Sequence, residues 1–215
     1  MSNYGYVGVE IPEQDFQNNK GVLSTSDIIE LSNENKLTQY GQLDHLLTVS
    51  ASGESTIDIT DYNKVDYITY MLTMTDVNFS ADKQLAIRFY LNNTLQTGGT
   101  YSIAYRRIRS DNNSGSPQAT TLTYATLHSQ MGGTGSDREC GNSIVYFHMA
   151  NDSDTYPEFS HKTSIISNAT SVAMSYGGAS FSAQKQITGF QITPYLGGAT
   201  IDRGEFSLYG FRGTV

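Results

Sequence analysis

Four histidines and one cysteine are the residues of this chain best suited to catalysis or metal binding, but their spacing fits neither role. His45, His128, His148 and His161 are scattered, and no two of them lie two or four residues apart. Zinc sites usually bring their ligands close together in the sequence. His148 belongs to the apolar run 146–149, so we interpret it as a buried or interface histidine rather than a zinc ligand.

The single cysteine is predicted to be a free thiol without a catalytic role. Cys140 lies in the polar stretch 135–141, just before the apolar run 144–149. One cysteine cannot form a disulfide within the chain. A structural or loop thiol is the ordinary role of such a residue.

Paired carboxylates are the remaining groups that could support hydrolysis or bind a cation. Asp58 with Asp61 is one pair and Asp152 with Asp154 is another. A glycosidase needs two carboxyl groups about 5–10 Å apart across a cleft, which the sequence does not specify. The oxygen ligands of 151–154 would suit Ca²⁺, but the spacing of an EF-hand is absent. We predict no enzymatic activity, no catalytic residue, no cofactor and no metal site.

The charge balance argues against nucleic acid as a partner. The chain has a net charge of −8 and a pI near 4.8, whereas nucleic-acid binders usually present a basic stripe. Its one basic cluster is Arg106, Arg107 and Arg109, in a run that alternates like a strand. Arg107 and Arg109 should therefore share one face of that strand, with Arg106 on the other.

The N-terminal region is predicted to contain an extended arm and one short helix. Residues 1–20 are polar, with no apolar leader, and no run in the chain reaches the roughly 18 apolar residues that span a bilayer. We expect synthesis in a cytoplasm and no membrane insertion. Residues 21–47 are predicted to be a helical attachment segment, whose helix over 24–35 begins at a capping serine or threonine.

The rest of the chain, residues 48–215, is predicted to be an all-β domain. Runs of alternating apolar and polar residues are separated by turns rich in Gly, Asn and Asp, which is typical of a two-sheet antiparallel sandwich resembling a jelly roll. The last two runs flank a Gly-rich turn at 197–204 and predict a C-terminal hairpin. The predicted strands are 56–60, 67–73, 84–91, 100–108, 120–127, 143–149, 163–167, 171–175, 186–193 and 205–211.

The apolar residues of this hairpin are expected to form part of the core. They are Phe190, Ile192, Phe206, Leu208 and Phe211. Side chains alternate between the two faces of a strand, so Leu208 and Phe211 lie on opposite faces of the last strand. Burial on both faces would fit a strand that lies between the core and a partner.

Two sequence blocks resemble structural proteins of tailed-phage virions, especially phages of marine and cyanobacterial hosts. The C-terminal block ITGF…GEFSLYGF, within 187–211, is similar to the closing "G.F.LYGI" strand of that family. The N-terminal block GVLSTSDIIEL…GQL, within 21–43, is similar to its "GV.S..DI.EL…GQLE" pattern. Leu37 departs from the pattern, since many relatives have Trp there, and His45 follows in a variable stretch.

The resemblance implies a virion protein that is a fibre, a neck or collar component, or a capsid decoration. Its partners would be other virion proteins in the capsid, neck or tail, and it would itself be a homo-oligomer, with a trimer favoured. Attachment is expected through apolar residues of the N-terminal block, namely Val22, Leu23, Ile28, Leu31 and Leu37.

A module that binds glycans or a host receptor is the alternative function. Sandwich domains often serve this role, and tyrosine rings can stack on sugars. Tyr105, Tyr156 and Tyr176 are the candidate contacts, expected in exposed loops, although the chain has no Trp, which would offer a larger face. A polysaccharide depolymerase is a third interpretation, but the β-helical repeats usual in such enzymes are missing.

Overall fold

The computed structural model describes residues 43–62, 67–131, 139–167, 171–195 and 197–212, together with Ile29. The chain divides into two compact units, Met1–Tyr40 and Gly41–Val215, and all the described strands lie in the second. The predicted arm, the predicted helix apart from Ile29, and the five attachment residues fall outside the described residues. The first strand begins at Leu43, before the predicted domain start at residue 48.

Thirteen strands form the described part of this unit, with no helical element among them. They are β1 (Leu43–Ala51), β2 (Ile57–Ile59), β3 (Tyr67–Phe79), β4 (Lys83–Leu91), β5 (Thr94–Leu95), β6 (Tyr101–Arg109), β7 (Gln118–Leu122), β8 (Ala125–Met131), β9 (Gly141–His148), β10 (Glu158–Ser167), β11 (Ser171–Phe181), β12 (Ile187–Pro194) and β13 (Ile201–Arg212). No helix in this part of the chain is long and apolar enough to cross a membrane.

The strands form two antiparallel sheets, which confirms the predicted sandwich. The large sheet has eight strands in the order β1-β13-β3-β9-β10-β11-β6-β7. The small sheet has the order β2-β12-β4-β5, and β8 also pairs with β4. Every one of these pairings is antiparallel.

Eight of these strands follow the strand order of a jelly roll. Counted along the chain as first to eighth, they are β1, β2, β3, β4, β8, β9, β12 and β13. The large sheet then contains the order first-eighth-third-sixth, and the small sheet contains second-seventh-fourth-fifth. This is the arrangement of two Greek keys folded into one sandwich. Two insertions, β5–β7 and β10–β11, supply the other five strands. Four of them, β10, β11, β6 and β7, widen the large sheet beyond β9, and β5 joins the small sheet.

The core lies between the two sheets and is rich in aromatic rings. Phe147 of β9 stacks on Phe190 of β12, with ring centroids 3.9 Å apart, and Phe89 of β4 packs edge-on against Phe147. Four of the five predicted hairpin core residues are fully buried, namely Phe190, Ile192, Phe206 and Leu208.

The fifth, Phe211, is not a core residue. It is half-buried and lies on the outward side of the large sheet, where its ring is 6.3 Å from the ring of Tyr146. Alternation along β13 gives its inward positions to Phe206 and Leu208, so Phe211 must face out.

Several predicted strand boundaries are wrong, and two of these differences have a clear structural cause. The run 120–127 is two strands, β7 in the large sheet and β8 paired to the small one, and Thr121, next to the last residue of β7, has a positive φ of 61°. The predicted turn at Gly177–Gly178 lies inside β11. A Cβ at Gly177 would overlap the backbone of Ala104 and Tyr105 in β6, so the glycine permits close strand approach rather than a turn.

Gly210, in the C-terminal sequence block, makes room for a tyrosine ring. A Cβ at Gly210 would overlap the ring of Tyr67 in β3. That ring is buried, and its hydroxyl donates a hydrogen bond of 2.9 Å to the Asp44 carboxylate in β1. Gly210 therefore allows β1, β13 and β3 to share one packed tyrosine.

We expect Gly210→Ala to lower the free energy of unfolding by about 1–3 kcal/mol, because the Tyr67 ring must shift to admit the methyl group. Urea unfolding of the purified chain measures this change. Gly98→Ala is the matched control, since a Cβ there meets nothing within 4 Å. Equal stability of the two variants would contradict the role assigned to Gly210.

Candidate assembly surface

The outward side of the large sheet carries an unusually apolar surface. Along β9 and β11 the exposed residues alternate with buried ones, and the exposed positions are largely apolar. Seven of the eleven large apolar side chains exposed among the described residues lie on β9, β10, β11 and β6. We call them the outer patch: Ile108, Ile144, Tyr146, Ile166, Val172, Met174 and Tyr176.

The strand register places the outer patch on four neighbouring strands, with Ser160, Lys162 and Ser164 of β10 between its β9 and β11 members. Tyr176 of β11 pairs with Lys162 of β10 on one side and with Arg106 of β6 on the other. Lys162 pairs in turn with Ile144 of β9. Two residues before Tyr176 on β11, Met174 pairs with Ile108 of β6. Two residues before Met174, Val172 pairs with Ile166 of β10. Apolar patches of this extent on a folded protein usually mark interaction sites.

The charges within the outer patch are positive, although the chain as a whole is acidic. Lys162 and Arg106 are exposed on either side of Tyr176. The Arg106 guanidinium donates a hydrogen bond of 2.7 Å to the Ser116 hydroxyl, which holds it at the sheet surface. Arg107 is only partly exposed and Arg109 is buried, so the predicted division of the basic cluster between two faces agrees with the structure.

A shallow trough adjoins the outer patch. It has a volume of about 640 Å³ and crosses β10, β11, β6 and β7. Its floor is low because Gly178 and Ala104, paired across β11 and β6, have little or no side chain. The exposed side chains along it include Gln118, Thr120 and Glu158. The trough therefore has room for a planar ring or for a ligand that carries several hydroxyl groups.

Two of the three predicted ligand-contact tyrosines are exposed and one is not. Tyr156 lies in the loop before β10 and is 57% exposed. Tyr176 is 52% exposed, but it lies on strand β11 rather than in the expected loop. Tyr105 is 7% exposed, so its expected place in an exposed loop is wrong. It shares the inward side of β6 with Tyr101 and Ile103, and this alternation is visible in the sequence.

Behind the outer patch, the inward side of the inserted strands holds a buried polar seam. His161 of β10 is 5% exposed, and its Nδ1 lies 3.3 Å from the Thr163 hydroxyl. Thr163 also hydrogen-bonds to Ser143 at 2.8 Å. The Ser175 hydroxyl donates a bond of 2.6 Å to the Leu127 carbonyl of β8. These bonds tie the inserted strands β10 and β11 to β9 and β8.

Burial is the larger cause and the nearby imidazole of His128 the smaller one, and together they lower the pKa of His161 to about 4. Its Nε2 has no hydrogen-bond partner among the described residues, and its ring contacts the edges of Tyr105 and Phe159. The neutral imidazole is the form that this site accommodates.

The remaining histidines are spread over the fold. His128 is fully buried on β8, near His161. His148 lies at the end of β9, where its Nε2 and the Ser160 hydroxyl are 2.9 Å apart. His45 is exposed on β1 and lies 2.8 Å from the Thr48 hydroxyl. Within the described ranges, no group of three or more His, Cys, Asp or Glu side chains could hold a metal ion.

One carboxylate of each predicted pair accepts hydrogen bonds from its neighbours in the fold. Asp58 accepts bonds from the Tyr90 hydroxyl at 2.7 Å and the Gln191 amide at 2.9 Å, on the outer side of the small sheet. Asp152 accepts a bond of 2.7 Å from the backbone of Asp154, which is an ordinary turn interaction. Burial raises the pKa of the Cys140 thiol, which favours its unreactive protonated form.

The outer patch is not among the features predicted from the sequence. The available signal was a run that is apolar at consecutive positions, since Ile144, Val145, Tyr146 and Phe147 have no polar residue between them. Such a run in a strand means that both faces are apolar. Val145 and Phe147 supply the core, so Ile144 and Tyr146 must face outward.

No protein-family model matches this chain, and neither the curated proteins nor the solved structures give a match. The function proposed below therefore rests on the surfaces of the molecule and on its two sequence blocks.

Proposed function

We propose that this protein is a non-enzymatic structural component of a phage virion, as a fibre, a neck or collar component, or a capsid decoration. In this role it assembles with copies of itself and with other virion proteins of the capsid, neck or tail. The five apolar residues of the N-terminal block serve as the attachment points. The protein is made in the host cytoplasm and becomes part of the particle.

The outer patch is the observation that supports this proposal best. Seven large apolar side chains on one sheet face are costly for a protein that stays alone in water, and they are the ordinary composition of an interface centre. The jelly roll adds support because viral capsid proteins and lectins often use this architecture. A fold alone does not determine function, so the surface has the greater weight.

Gold labelling of purified virions with an antibody against this chain tests the proposal. Label over the shell would identify a capsid decoration, and label at the neck or tail would identify a collar or fibre component. Particles without label, from infected cells in which the protein is abundant, would contradict a structural role. Mass spectrometry of the same particles provides an independent count of copies.

Glycan binding is the second candidate function, and the trough is the observation that favours it. Its polar side chains could hydrogen-bond to sugar hydroxyls, and Tyr176 lies on the same face of β11, two residues before Gly178. A glycan array tests this candidate. Binding that is lost in Tyr176→Ala or Tyr156→Ala, but kept in the exposed control Leu43→Ala, would support it.

A further inference from the structure

We propose that two copies of this chain associate face to face through the outer patch, about a twofold axis that runs parallel to the strands between β10 and β11. This inference rests on the proposed function, because it specifies the surface through which copies assemble, and it gives a dimer in place of the trimer that the sequence resemblance favours.

The large sheet offers enough area for a stable contact. With strands about 4.8 Å apart and about 3.3 Å per residue, the outer patch covers roughly 400 Å² in projection. A specific interface buries about 800 Å² on each partner, with an apolar centre and a polar rim. The sheet has eight strands, so the outward side of β3, β13 and β7 supplies the rim around this centre.

The register of the strands makes this face complementary to itself. A twofold axis between β10 and β11 keeps each cross-strand row in place and exchanges β10 with β11 and β9 with β6. Lys162 then faces the partner's Tyr176, since the two are paired within one sheet. By the same rule, Ile166 faces the partner's Val172. Sheets that pack face to face are about 10 Å apart, which suits side chains of this size.

The position of the axis also determines what each cation of this face meets. Arg106, which is hydrogen-bonded to Ser116, lies opposite the partner's Ile144. An axis along β10 would set Lys162 against its own copy, which is repulsive. The axis between β10 and β11 instead sets each Lys162 ammonium against a tyrosine ring, and this contact occurs twice in the dimer. Cation–π contacts of this kind are stabilising when water is excluded. Lys162 therefore meets a tyrosine ring rather than a second ammonium group.

The trough receives a side chain in the same arrangement. Tyr146 lies in the row that continues through Ser160 and Gly178 to Ala104. The twofold axis places Tyr146 over the partner's Ala104, where the trough crosses β6. A projecting ring thus meets a depression of small residues on each side. Dimer formation would cover the trough and compete with glycan binding there.

A charge exchange at one position tests the register. Sedimentation analysis of the purified full chain should give twice the chain mass of 23.6 kDa. Tyr176→Lys puts like charges against both Lys162 residues and should raise the dimer dissociation constant at least about tenfold more than Tyr176→Glu, which puts opposite charges there. Combining Tyr176→Lys with Lys162→Glu should restore the dimer. Tyr156→Lys, at an exposed loop site, is the control and should leave the dimer intact.

Several outcomes would overturn the inference. A monomer or a trimer as the stable species, or equal weakening by both Tyr176 variants, would each exclude the twofold register. Circular dichroism shows whether each variant is folded, and Val172→Lys, opposite Ile166, is the replacement if Tyr176→Lys fails to fold. Virion labelling is a separate measurement, so a monomeric protein that labels virions would contradict the dimer and leave the proposed function standing.

Discussion

Replacing Leu208 with alanine is expected to lower the free energy of unfolding by about 2–5 kcal/mol, through lost burial and the cavity that remains. Leu208 is fully buried at the centre of β13, where it pairs with Leu47 of β1 and with Leu72 of β3. β13 joins the first and third strands of the large sheet, so a void there weakens the closure of the jelly roll.

Urea unfolding of the variant and the parent protein gives this difference directly. Glu205→Ala is the matched control in the same strand, since Glu205 is exposed, and it should change stability by less than about 0.5 kcal/mol. A Leu208→Ala protein that melts within about a degree of the parent would place Leu208 outside the core.

Acidification is expected to destabilise the protein through His161. Its pKa is lowered to about 4 in the folded chain, against about 6.5 when unfolded, because burial disfavours the charged imidazole. The unfolded chain therefore binds more protons between these two pH values, so stability is full above about pH 6.5 and falls as the pH is lowered. The loss attributable to this group reaches about 3 kcal/mol near pH 4.

The difference in unfolding free energy between pH 7 and pH 4.5 measures this contribution. His161→Leu should reduce that difference, because leucine fills a similar volume and does not titrate. Phe159→Leu alters a ring that contacts His161, so it should lower stability about equally at both pH values. A pH dependence that is unchanged in His161→Leu would show that other groups cause it.

Several strands could be predicted from the sequence because their alternation is set by burial on one face. β6 spans 101–109 against the predicted 100–108, and β9 spans 141–148 against the predicted 143–149. Both strands alternate between buried and exposed side chains over most of their length. The apolar hairpin residues were assigned correctly to the core where they share the inward side of β12 or β13.

The errors come from contacts that a local pattern does not contain. Gly177 predicts a turn when only the sequence is considered. The structure requires glycine there because β6, which is distant in the chain, lies too close to admit a side chain. The run 120–127 lacks a glycine or proline, so nothing local shows that it divides between two sheets. The outer patch also depends on topology, since alternation shows that two faces differ but not which strands lie side by side.

The two insertions separate the strands that form most of the outer patch from the eight jelly-roll strands that close the sandwich. Of the four strands that carry the outer patch, β10, β11 and β6 belong to the insertions, and only β9 is one of the eight jelly-roll strands. Residues on the inserted strands that determine which partner binds can therefore be substituted, while the contacts among β1, β13 and β3 stay the same. Two related chains with the same jelly-roll core could therefore have outer patches that do not bind each other.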